Sequence, residues 1–300
     1  IYHFHDPELL PYGLKLKKAG KKVIFDSHEF YREQIREKKY LPAWLRACVA
    51  DSYGAYENHV LRYCDAVISP CTLNGKSFFE NRCRRVAIIS NAAILGEFFD
   101  LYNLNTSKEE RQVCYVGGLT EARGISADIK AAYQANAVIA LAGSFSPEGY
   151  DKMLKKMPEY ACVRHLGSID RSGVRELLGE SHVGLCTLLD IGQYLKIDTF
   201  GIKVYEYMSM ALPVILSHSY YNDRMVDRYH FGICVDPANV DEIAEAIRYL
   251  LDHPDEARQM GENGRRAVKE EFNWGVEEKK LLALYEDVLK YCLLYTSDAA

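Results

Sequence analysis

Asp198-Thr-Phe-Gly-Ile-Lys-Val-Tyr-Glu206, running on into Tyr-Met-Ser-Met-Ala-Leu-Pro-Val-Ile-Leu-Ser217, is the stretch whose reading decides the fold. It reads as a loop, a glycine, a short helix and a buried strand that Pro213 restarts. Gly201 opens the helix, and the free N–H groups and positive dipole end there suit an anion such as a diphosphate. Asp198 stands in the loop and Glu206 about a turn and a half into the helix. A carboxylate at the second position can accept two hydrogen bonds from a ribose diol. The plainer alternative for the pair is a surface acid beside an ordinary amphipathic helix.

Outward from this stretch, apolar runs alternate with helical patterns along the whole chain, the signature of a parallel-sheet α/β protein. In the first part, strands are expected at Ile1–Phe4, Lys22–Asp26, Ala66–Ser69 and Arg85–Ile89. Helices are expected near Pro7–Ala19, Pro42–Tyr63 and Thr72–Arg82. Residues 91 to about 110 have turn and polar character and read as a linker. The second part opens with Val113-Cys-Tyr-Val116-Gly-Gly, a strand ending in a glycine turn. Further strands follow at Ala137–Ala142, Cys162–Leu166, Val183–Cys186, Pro213–Ser217 and Ile233–Val235, then periodic helices at Asp241–Leu251 and Pro254–Lys269. A last helix, from Asn273 to Tyr291, carries Leu281, Leu282, Leu284, Tyr285 and Val288 on one stripe.

Composition narrows the function classes. Three hundred residues at 48% hydrophobic content can bury two cores more naturally than one. No apolar run is long enough to cross a membrane. Nine cysteines without a C-x-x-C pair fit reduced, mostly buried thiols of a cytoplasmic protein, and no metal site is expected from them. Residues 1–104 carry 15 Lys+Arg against 12 Asp+Glu, a net of +3, and the remainder carries −8. The clusters Lys15–Lys22, Arg36–Lys39 and Arg82–Arg85 suit an anionic membrane surface or a phosphate-bearing substrate, or are ordinary solvated faces. Nucleic acid is a poor partner at pI 6.0 without a recognised binding motif. Tyr40-Leu-Pro-Ala-Trp44 beside Lys38 and Lys39 reads either as a membrane-facing element or as a helix start packed on its own domain.

D-x7-E with Phe-Gly after the first acid, then a small-residue helix and Leu-Pro-Val-Ile, resembles the E-x7-E element of group 1 (family 4) retaining nucleotide-sugar glycosyltransferases. Asp198 stands where the family has Glu, one methylene shorter. Gly117-Gly118-Leu-Thr-Glu-Ala-Arg123-Gly124 is similar to the family's diphosphate loop, with Gly118 in place of its first basic residue and Arg123 in place of its second. The resemblance implies that Lys203 supplies the missing charge; its other reading is an ion pair with Glu206. His3-Phe-His5-Asp6 is similar to the family's H-x-H-D segment, and Asp26-Ser-His28-Glu29 to its D-x-H-E segment. Asn91 stands at the place of a P-N-G hinge.

The fold so implied is α/β: two Rossmann-like domains with parallel sheets facing across a cleft, the glycosyltransferase B type. The domains expected are 1–104 on the acceptor side and incomplete, and 105–291 for the nucleotide sugar, the last helix crossing back to the first. The implied activity moves a hexose from a nucleotide diphosphate sugar to an acceptor hydroxyl in cell-surface polysaccharide or glycolipid synthesis. Partners are the donor, a glycan or lipid-linked acceptor and an anionic membrane surface met peripherally. Catalytic roles fall to His5, Asp198 and Glu206, and donor contacts to Gly117, Gly118, Arg123, Phe200, Gly201, Ile202, Lys203 and Glu206. Asp6, His28 and Glu29 are the acceptor-side candidates, and neither metal nor cofactor is expected. A sugar-nucleotide epimerase of the same architecture and a non-catalytic binding subunit are the alternatives. The opening on a strand rather than a strand–loop–helix unit reads as a missing amino-terminal segment. Cys292–Ala300 resembles an adapter-derived tail and is set apart from the fold.

Overall fold

The computed structural model describes residues 1–38, 42–102 and 110–297. Lys39–Leu41, part of the segment read as membrane-facing, lie outside them, as do 103–109 of the expected linker and the last three residues of the tail. The chain forms two compact units. One comprises Ile1–Asn91, Ile197–Thr199 and the chain from Gly275; the other comprises Ala92–Lys196 and Phe200–Trp274. Residues 92–102, grouped by sequence with the first domain, pack in the second unit, where Ala93 and Phe98 are core.

In the first unit, β1 (Tyr2–Phe4), β2 (Val23–Asp26), β3 (Ala66–Ser69) and β4 (Val86–Ile88) pair in parallel in that order. Such strands are covered on both faces, so they read as continuous apolar runs. Phe4, Val23, Phe25 and Val67 share one core with Leu10 of α1 (Leu10–Lys18) and with Val60 and Leu61. α2 (Tyr31–Glu37) precedes α3 (Ala43–Leu61), on which Trp44 is exposed. The opposite face, Ile24, Ala66 and Ile68, is covered by Leu281, Leu284, Tyr285 and Val288 of the closing helix, Trp274–Ser297. Leu282, expected on that stripe, is exposed.

The helix expected over Thr72–Arg82 is absent. Asn74, Gly75 and Asn81 adopt positive φ, and Leu73 pairs with Lys76 in a tight antiparallel bridge. Asn and Gly take that conformation with little penalty, so the segment turns instead of coiling. Much of the basic excess is paired within the unit: Lys17 and Lys22 with Asp65, Arg36 with Asp51, Arg82 with Glu57 and Arg85 with Asp287.

The second unit alternates strand and helix throughout. In chain order it comprises β5 (Gln112–Val116), α4 (Ile125–Gln134), β6 (Val138–Ala142), α5 (Tyr150–Leu154) and β7 (Val163–Gly167). Next come α6 (Arg171–Glu180), β8 (Val183–Cys186), α7 (Ile202–Ser209) and β9 (Val214–Ser217). α8 (Tyr220–Tyr229), β10 (Gly232–Val235), α9 (Val240–Asp252) and α10 (Pro254–Glu270) complete it. The six strands are parallel in the order β7-β6-β5-β8-β9-β10. Successive side chains of β5 point to opposite faces, Val113 and Tyr115 into one core and Cys114 into the other. The chain runs outward from β5 in one direction and then returns to start again at β8. Between these two strands lies the topological switch point, where doubly wound sheets bind ligands at their carboxyl ends.

Candidate active site

The carboxyl end of β5 is held by its neighbours before any ligand is considered. Gly117 has φ +130°, which favours glycine, and its N–H donates to Ala142 O at 2.8 Å. Gly143, at the end of β6, comes so close that a Cβ there would lie 1.8 Å from Gly117 O. On the other flank Gly184 of β8 leaves room for the Tyr207 ring, which a Cβ would meet at 2.3 Å. The Tyr207 hydroxyl in turn accepts from Val116 N at 3.0 Å. α7 is thereby pinned to the end of β5, and Lys203, one turn before Tyr207, is delivered over the glycine loop.

Arg123 and Lys203 converge there. A Cβ on Gly117 would lie 3.3 Å from both Arg123 Nη1 and Lys203 Nζ. Tyr115 organises the pair. Its hydroxyl accepts from Lys203 Nζ at 3.0 Å and from Arg123, and donates to Gly118 O at 3.2 Å. One donor and two acceptors are what a phenol has, so this hydroxyl is fully used. Lys203 Nζ also lies 4.4 Å over the Tyr115 ring. Burial works against the Arg123 charge, but the Tyr115 and Tyr194 hydroxyls outweigh it and raise its pKa. Lys203 therefore stands with Arg123 and Tyr115. Tyr115 was not singled out from the sequence; a tyrosine two residues before a strand-end Gly-Gly was the available signal.

Gly201 caps α7 in extended conformation without a side-chain hydrogen bond, and Ile202 is exposed beside it. The Phe200 side chain is core, edge-on to Tyr205, Tyr221, Phe231 and Phe272, so its ring is committed to packing. Glu206 is buried, and Arg171 Nη1 donates to its Oε1 at 2.6 Å. Arg171 also pairs with Glu97 and lies 4.4 Å over the Phe98 ring. Beneath the cation pair, Asp128 of α4 is fully buried and accepts from Thr187 Oγ1 at 2.5 Å, while its Oδ2 has no partner. Burial pushes this carboxyl up to about 7, against the opposing effects of Thr187 and Lys203.

The other candidates lie in the first unit. Asp198 Oδ2 accepts from Thr72 Oγ1 and from Gly75 N, the latter at 2.6 Å, and its Oδ1 is buried without a hydrogen bond. The positive-φ turn at Asn74–Gly75 presents these donors to it. His5 is exposed after β1, with Nδ1 3.4 Å from Asp26 Oδ2 and 2.7 Å from His28 Nε2. Glu29 is exposed, its carbonyl accepting from Ser27 Oγ. Asp6 is exposed and precedes the 3-10 turn Pro7–Leu9 without capping it by its side chain. His3, quoted in the H-x-H-D segment without a role, and Tyr285, expected only on the apolar stripe of the last helix, both touch this cluster.

An alpha-D-kanosaminyltransferase of Streptomyces kanamyceticus is 23% identical over 187 residues, covering 59% of this chain and 45% of that protein. An MMP alpha-(1->4)-mannosyltransferase of Mycolicibacterium hassiacum is 33% identical over 95 residues, 31% of this chain and 23% of its own. The chain thus spans less than half the length of these curated relatives. Among solved structures, sucrose-phosphate synthase of Thermosynechococcus elongatus superposes with TM-score 0.74 at 21% identity, covering 96% of this chain and 73% of that one. Anabaena HepE in complex with UDP superposes with TM-score 0.71 at 14% identity, over 95% and 78% of the two chains. These likenesses show the two-Rossmann, B-type glycosyltransferase fold. The profile of the glycosyl transferases group 1 matches residues 100–267, more than half of the chain, and the chain belongs to that family.

Proposed function

We propose that the protein is a retaining glycosyltransferase that moves a hexose from a nucleoside diphosphate sugar to a hydroxyl of a glycan or lipid-linked acceptor. The observation that carries this reading is the convergence of Arg123 and Lys203 on Gly117 at the β5/β8 switch point. Two cations over a bare glycine backbone form a subsite for a diphosphate, and the start of α7 adds its dipole. As the bond between the sugar and the diphosphate breaks, negative charge grows on the leaving oxygen. Donors fixed beforehand by Tyr115 stabilise that charge without having to reorganise.

Glu206 would hold the nucleotide ribose through the oxygen that Arg171 leaves open. Asp198, with an unpartnered Oδ1, would accept from a donor-sugar hydroxyl, and His5 would orient the acceptor hydroxyl. Asp6, His28 and Glu29 are the remaining acceptor-side candidates. No described helix is long and apolar enough to cross a membrane. A lipid-linked acceptor would then be met peripherally, with exposed Lys15, Lys18 and Lys21 toward anionic headgroups.

The test is incubation with UDP- and GDP-sugars and a panel of glycan acceptors, followed by NMR of the anomeric proton. Transfer with the donor's anomeric configuration is expected. An inverted product, an epimerised donor, or donor binding with no transfer to any acceptor would replace this reading.

A further inference from the structure

We propose that His3, His5 and Asp26, at the carboxyl ends of β1 and β2, form a binding site for a divalent transition-metal ion of the zinc type. His3 Nε2, His5 Nδ1 and Asp26 Oδ2 all lie within 4.8 Å of one another. Asp26 Oδ2 is 3.2 Å from the first nitrogen and 3.4 Å from the second. These separations are long for charge-assisted hydrogen bonds, which run about 2.7–2.9 Å. They come close to the edge of a tetrahedral zinc site, about 3.3–3.4 Å for metal–ligand bonds of about 2.0–2.1 Å. Both Asp26–imidazole separations thus fit edges of such a site, and the two imidazole nitrogens lie within 4.8 Å of each other.

The surroundings fit as well. His3 Nδ1 is 2.7 Å from the Tyr285 hydroxyl, so the ring is oriented with its other nitrogen toward Asp26. A metal-bound histidine is usually held in this way by a partner on its distal nitrogen. β1 and β2 pair in parallel register, His3 opposite Ile24 and Phe4 opposite Phe25, which fixes the spacing of the two strand ends. His5 and His28 are exposed, so the His28 contact to His5 Nδ1 can open as an ion enters. Three protein ligands leave a position for water or a ligand hydroxyl. A second cluster, His218, Asp223 and Cys234, is a poorer host: burial and the hydrogen bond to Asp223 hold its thiol protonated.

The site is tested by titrating the whole chain with Co2+ and reading its visible d–d absorption, with neither donor nor acceptor present. The result is therefore independent of the transfer reading. One equivalent should bind without a thiolate charge-transfer band, and Zn2+ should displace it. His3→Ala, Asp26→Ala and the exposed-site variant His5→Ala should abolish the band, whereas His218→Ala should keep it. Tyr285→Phe, which removes only the orienting hydroxyl, should weaken binding by about tenfold. No spectral change in the parent chain, a thiolate band, or a band that survives His5→Ala would overturn the proposal.

Discussion

Lys203 Nζ donates to the Tyr115 hydroxyl at 3.0 Å while lying over the same ring, and that hydroxyl also accepts from Arg123. Both cations of the glycine loop are therefore positioned by one phenol. Tyr115→Phe keeps the ring and removes both acceptor contacts, so the cations lose their fixed geometry. Each lost hydrogen bond is worth about 1 kcal/mol, so UDP and GDP affinity should fall between about fivefold and thirtyfold. Calorimetry on parent and variant measures it, and unchanged affinity would remove Tyr115 from the site.

Arg171 and Glu206 should behave as a coupled pair. Truncating Arg171 leaves a buried carboxylate without its guanidinium, a loss of about 1–3 kcal/mol. Arg171→Ala should thus destabilise the chain, and adding Glu206→Ala should recover part of the loss. Urea unfolding of both single variants and the double variant gives the coupling; strict additivity would mean that the ion pair adds no net stability.

Gly143 carries a packing prediction. A Cβ at this position would lie 1.8 Å from Gly117 O, and φ is +148°. Gly143→Ala must push the β5 and β6 loops apart, with an expected destabilisation of about 1–3 kcal/mol. Nucleotide affinity should drop in the same variant, because the displaced loop is the one that carries Gly117.

Asp128 makes stability depend on pH. Its carboxyl titrates near 7 in the folded chain against an ordinary value of 3.8, so between these values the unfolded chain binds fewer protons. Stability from this group therefore falls as pH rises through that window. Asp128→Asn should flatten the fall, stabilising the chain most above about pH 7 and least below about pH 4. Thermal unfolding of both proteins across the window reads it, and parallel curves would show that the charge is compensated elsewhere.

Strand positions were legible because both sheets are buried on two faces. Ala66-Val-Ile-Ser69 and Val183-Gly-Leu-Cys186 have no polar face to blur the pattern. The turn at Leu73–Lys76 was not legible, since Asn and Gly positions there matter through backbone angles that a helical pattern hides. α2 was missed because its seven residues are largely charged or polar. Within the site, Arg123 and Lys203 were named from motif positions, whereas Tyr115 looked like any strand aromatic. The partners of Glu206 and Asp198 come from residues far away in the chain, Arg171 and Thr72, and no local spacing announces them.

The central claim, a nucleoside-diphosphate subsite at Gly117, is tested most directly by calorimetric titration of the parent chain and of Arg123→Ala, Lys203→Ala and the double variant. The ligands are UDP and GDP, each at low and high salt. One nucleotide should bind per chain, each single variant should lose about tenfold, and the double variant should show little binding. The difference between parent and variants should shrink as salt screens the exposed phosphates. Undiminished binding by the double variant would place the diphosphate elsewhere and contradict the assignment.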